Sequence, residues 1–113
     1  MGMTRDKMEF TAILARECPQ ISALGVVAIA QKLMRLGATF NRMAVEQCNR
    51  EWTEADEKKR ERIRQRIMML SDDLGFDKTP RFQNDPRGCT VKLRVPSGRT
   101  NDWGQEGICV PTA

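Results

Sequence analysis

At 113 residues, 40% hydrophobic and 30% charged, the chain has material for one domain with a real core and too little for two, and its balance excludes an intrinsically disordered protein. The net charge of +4 divides into seven basic and five acidic groups over residues 1–52, seven of each over 53–79, and five against three over 80–113. No segment is a basic tail, which weakens any inference to nucleic acid, and no apolar run approaches the roughly 18 residues of a membrane helix.

Residues 4–17 read as a helix opened by Thr4 or Asp6 and closed by Cys18-Pro19, with Met8, Ala12 and Ala15 joining Leu14 on its apolar face. From Ser22, an N-cap candidate, a long helix runs to Cys48. Val26, Ile29, Ala30, Leu33, Leu36, Phe40 and Ala44 form the centre of its apolar arc, with Val27, Met34, Ala38 and Val45 on one flank; Gln31, Lys32, Arg35, Arg42 and Glu46 fill the rest. So wide an arc implies burial on two sides, as a central helix or in a homodimer through residues 22–48. Ala30, Gly37 and Ala44 recur every seventh residue, a spacing of small side chains that lets another backbone come close, most simply within the same chain.

After the connection Asn49-Arg50-Glu51-Trp52, Thr53 and Asp56 form a carboxylate version of the capping box. Ile63, Ile67, Leu70 and Leu74 then repeat at four, three and four, the stripe of an amphipathic helix, and Gly75 ends it. Residues 76–111 read as a β-meander. A short strand at Arg81-Phe82-Gln83 meets the turn Asp85-Pro86-Arg87-Gly88, with Gly88 free to take positive φ. Residues 89–95 alternate as a half-buried strand, Pro96-Ser97-Gly98 breaks it, and a last strand lies near Gly107–Val110. The whole is α+β, with a helical part over 1–75 and the meander over 76–113.

Four cysteines at positions 18, 48, 89 and 109, with no close pair and no histidine anywhere, make a poor zinc set. With no secretory pattern opening the chain, the expectation is a cytosolic protein with buried reduced thiols and no cofactor. Without histidine, and without two acids in an apolar setting, the inventory for acid–base chemistry is thin, so the chain reads as a non-enzyme.

Two surfaces remain. The run from Lys58 to Arg66 is the densest positive stretch, and Lys58, Arg62 and Arg66 are its candidates for phosphate binding. On the helical wheel Lys58, Lys59, Arg62 and Arg66 fall on one side of the apolar stripe and Arg60 and Arg64 on the other, where long stems snorkel over the core edge. Glu54–Lys58 and Asp56–Arg60 at four apart and Glu61–Arg64 at three apart are expected to pair. The second surface is the hairpin tip and following loop, where Arg87, Arg99 and Trp103 are of the types that anchor protein interfaces. Equally, Trp103 can fold back over the sheet and Arg87 can be a solvated turn charge.

The Asn84-Asp85-Pro86-Arg87-Gly88 turn, the alternating strand after it, Asp102-Trp103-Gly104 and the closing Gly107-Ile108-Cys109-Val110-Pro111 resemble a pattern in small phage and prophage accessory proteins. The resemblance covers about the last thirty residues. It implies a phage-encoded protein acting in a bacterial cytoplasm by binding a host protein or complex, including inhibition of a defence system as anti-CRISPR proteins do. The alternative reading is a small nucleic-acid-binding or regulatory protein that uses the basic helix 58–66.

Overall fold

The computed structural model describes residues 5–95 and 107–111, so Thr4, Pro96–Gly98, Arg99, Asp102, Trp103 and Gly104 lie outside the described residues. Three helices, α1 (Arg5–Glu17), α2 (Ala23–Asn49) and α3 (Glu54–Asp73), precede a sheet of β1 (Arg81–Phe82), β2 (Val91–Arg94) and β3 (Gly107–Cys109). The strands are antiparallel in the order β1-β2-β3, the α+β meander expected from the sequence.

Capping chemistry sets where α2 and α3 begin. The Ser22 hydroxyl accepts from the Gly25 N–H at 3.1 Å. At α3 the Thr53 hydroxyl accepts from the Asp56 N–H, and the Asp56 carboxylate accepts from the Thr53 N–H at 3.0 Å, so two orphan amides of the first turn are satisfied reciprocally. Gly75 follows α3 at φ +82°, a left-handed residue that glycine takes without a Cβ penalty.

Central in the fold is α2, which contacts α1, α3 and β2. Its Val26, Ala30, Leu33, Met34, Gly37, Phe40, Met43 and Ala44 are buried, and Phe40 meets the ring of Phe82 at 5.4 Å. The sheet contributes Val91, Leu93, Val95, Ile108 and Val110 to the same core. By length and composition α2 is also apolar enough to cross a membrane, a property that the reading of the sequence did not find. On α1 the core face is Phe10 and Leu14, continued by Cys18, while Met8, Ala12 and Ala15 point to solvent. The four-residue repeat of large side chains decides that face, since an alanine buries too little area to compete with a phenylalanine.

The small-residue seam is internal. A Cβ built on Gly37 would stand 2.7 Å from Cγ1 of the buried Val110, so the glycine lets the residue after β3 lie on the middle of α2. Gly37→Ala is therefore expected to destabilise the protein by about 1–2 kcal/mol, as overpacking outweighs the ~1 kcal/mol gain in helix propensity. Urea denaturation checks the sign; a more stable variant would mean that Val110 yields freely.

Two further expectations are corrected. The turn forms at Asp85–Gly88, with the Gly88 N–H directed at the Asp85 carbonyl at 3.4 Å, but Gly88 keeps an ordinary negative φ. Glycine is thus not demanded there by backbone conformation, and the group its Cβ would meet is the end of the flexible Gln83 side chain. Nor are all four thiols reduced and buried: Cys89 and Cys109 form a disulfide, while Cys18 and Cys48 stay outside it, Cys18 as a buried thiol directed at the Leu74 carbonyl and Cys48 as an exposed one. The bridge joins the start of the β2 segment to β3, two stretches that the antiparallel pairing already holds side by side.

Candidate functional site

The basic run of α3 is split by its surroundings into a structural side and a free side. On the structural side Arg60 is only 6% exposed. Its guanidinium donates to Gln47 Oε1 of α2 at 2.6 Å, to Asn84 Oδ1 of the hairpin at 2.8 Å and to the Glu57 carboxylate, and it lies 5.0 Å from the centroid of the Trp52 ring. Arg50 also lies over that ring, and the indole N–H donates to Glu57 at 3.0 Å. Arg64 pairs with Glu61 and covers the Phe82 ring at 5.7 Å. Arg60 is therefore a buried hub rather than a snorkelling edge residue.

The expected Asp56–Arg60 pair does not form, because Asp56 is taken from the other side. Arg50 holds it with two parallel bonds of 2.7 and 3.0 Å while the carboxylate also serves the Thr53 cap. These bonds, Arg50 first and the Thr53 amide and hydroxyl next, hold the Asp56 carboxyl well below the usual carboxylate range. Glu57 is lowered too, chiefly by the Trp52 indole and then by Arg60, and Asp85 by the side chain and backbone N–H of Arg87. A carboxyl lowered in the folded state adds stability above its unfolded pKa of about 4, and that contribution is lost as pH falls through and below this value. Thermal melts between neutral pH and pH ~3 should show stability flat above about pH 5 and declining below. Asp56→Asn should start lower at neutral pH and fall less steeply in acid.

Arg87 is at the hairpin tip, its side chain 89% exposed, and is engaged by its own turn. Its Nε and Nη2 donate to the two oxygens of Asp85, both at 3.0 Å, and its N–H closes on the same carboxylate. A cation so neutralised is a weaker anchor than the sequence suggested. Arg99 and Trp103 fall outside the described residues, so the structure does not bring them to Arg87.

The free side of α3 faces α2. Between the two helices is an open depression of about 380 Å³ lined by Leu36, Leu70 and Met69, with Lys32, Arg35, Arg66 and Asp73 around it. Met69, 65% exposed, lies open to solvent in this lining. Arg62 lies one turn before Arg66 on the same stripe of α3, and Arg42 lies two turns after Arg35 on α2. Among the described residues no carboxylate ion-pairs with Lys32, Arg35, Arg62 or Arg66; Lys58, by contrast, sits 3.9 Å from Glu54 with both side chains exposed, a contact worth little. Of the phosphate candidates, Arg62 and Arg66 thus share a face with cations of α2, whereas Lys58 stands further back with a partner. Reading α3 alone missed Lys32, Arg35 and Met69 as parts of one surface. Their signal was available, since a connection as short as Arg50–Thr53 makes the helices antiparallel neighbours whose flanks share a groove. No model of a known protein family, no curated protein and no solved structure matches the chain.

Proposed function

We propose that the chain is a non-enzymatic binding protein whose α2–α3 face docks an acidic protein surface. The observation that carries this reading is a set of cations without carboxylate partners among the described residues: Lys32, Arg35 and Arg66 stand around an apolar floor with Met69 exposed on it, and Arg62 follows one turn away on the same stripe of α3. Arginine and methionine are enriched at protein interfaces, and a cationic rim steers an acidic partner while the apolar centre supplies contact area. The resemblance of the Asp85–Gly88 hairpin segment supports a phage-encoded accessory role, with a bacterial host protein or complex, such as a defence complex, as the partner.

The double variant Arg35→Glu/Arg66→Glu is the test. Both residues are exposed, so its melting temperature should stay within about 2 °C of the wild type. Retention of the partner from a bacterial extract by the tagged protein should fall at least ~10-fold, the effect of ~1.4 kcal/mol or more at an interface. Unchanged retention of the same partner would rule out this face.

A second reading, nucleic-acid binding, is favoured by one observation: Lys32, Arg35 and Arg42 of α2 extend the basic surface of α3. It requires retention that is abolished by nuclease and that weakens steeply between low and physiological salt. A homodimer through residues 22–48 would have to use what α2 leaves outside, chiefly Leu24 and Val27 near its start, and sedimentation at micromolar concentration tests it.

A further inference from the structure

We propose that the element received by the α2–α3 face is an acidic amphipathic helix, laid along the groove with one apolar side chain seated over Leu36, Met69 and Leu70. This deepens the protein-binding reading of that face and rests on it.

The shape of the charge decides the class of occupant. Cations stand on both rims, Lys32 and Arg35 on α2 and Arg66 on α3 with Arg62 one turn beyond it on the same stripe, and the floor between Arg66 and the α2 cations is apolar. An occupant must therefore present an apolar line with acids along both of its flanks. A helix offers that arrangement, because its apolar stripe is bordered on each side by polar positions of the same cylinder. An extended strand does not: its side chains alternate between two opposite faces, so acids flanking an apolar row would point away from the rims. The partner of each rim can also be placed. Lys32 to Arg35 advances about 4.5 Å and Arg62 to Arg66 about 6 Å, so carboxylates three and four residues apart on one helix reach successive cations. From Lys32 to Arg42 the α2 rim runs about 15 Å, the length of roughly three helical turns.

Asp73 sets the polarity of the anchor. It lines the depression with no ion-pair partner among the described residues, at the end of α3, beside a floor that is otherwise apolar. A tryptophan anchor fits both demands: its ring fills the depression of about 380 Å³ and its indole N–H has Asp73 to donate to. A cavity of that size takes one large aromatic side chain without the rest of the helix having to enter.

The test uses the intact protein and a fluorescein-labelled peptide of about 18 residues, capped at both ends, with tryptophan and leucine on one stripe and glutamate on both flanks. Fluorescence anisotropy at physiological salt should show saturable binding below about 1 mM. Arg35→Glu/Arg66→Glu and, separately, Met69→Glu should each weaken it ~10-fold or more, the latter probing the floor at a side chain too exposed to hold the fold. A peptide of the same composition with a central proline should also bind ~10-fold more weakly, because the helix is broken. Equal binding of the proline peptide would overturn the helical occupant. No saturable binding, with extract retention still dependent on Arg35 and Arg66, would overturn this inference and leave the acidic-surface reading standing. Retention independent of both residues would remove the reading beneath it.

Discussion

Arg60→Met is expected to lower the unfolding free energy by about 2–3 kcal/mol, enough to bring the melting temperature down by on the order of 10 °C. The guanidinium is the shared donor for Gln47 on α2, Glu57 on α3 and Asn84 on the hairpin, and so ties three elements of the fold together. Methionine keeps the stem and its packing but leaves Gln47 and Asn84 without this donor and Glu57 with the Trp52 indole alone. The loss falls below that of a fully buried pair because Glu57 is 46% exposed and can rehydrate. Arg60→Lys should recover little, since a single ammonium cannot meet three acceptors fixed for a planar fork and also stack on Trp52. Urea denaturation of the three proteins measures this. A stabilised methionine variant would show that burying the charge costs more than its bonds return, as happens in some proteins with buried ion pairs.

Opening the Cys89–Cys109 bridge should cost about 3 kcal/mol, from the loop-closure entropy returned to the unfolded chain by a separation of 20 residues. Melts with and without dithiothreitol read the difference directly, and Cys89→Ser/Cys109→Ser should melt like the reduced wild type. Alkylation of the denatured, unreduced protein should label two of the four cysteines, Cys18 and Cys48. Four labels would mean that the bridge is not made. In the reducing bacterial cytoplasm that we propose as the setting, the protein would work in the less stable dithiol form.

The parts of the fold that could be read from the sequence are those fixed by neighbours in the chain. Ser22, the Thr53–Asp56 box and the four-three-four repeat of α3 act over one turn of helix, and Asp85-Pro86 acts over one β-turn, so each element was placed before any packing was known. Where a residue had two eligible partners the sequence could not choose. Asp56 stood four residues from Arg60 and six from Arg50, and the chain reversal at Glu51 made the second the better match. The disulfide had no local mark at all, since one bridge among four cysteines can be drawn in six ways and only the docking of β3 alongside β2 brings Cys89 to Cys109. The groove belongs to the same class: each rim was visible as cations on one helix flank, but that they form two sides of one site depends on how α2 and α3 dock.

The same bridge alters what a cut in the chain can do. Cys89 and Cys109 enclose the whole span between β2 and β3 in a covalent ring, so a protease that severs any single bond inside it opens the ring without separating the two halves. β3 and the Val110 that packs on Gly37 would remain tethered beside their partners at high effective concentration and keep their place in the core. On a denaturing gel such a nicked protein runs as one band until reductant is added, and then as two.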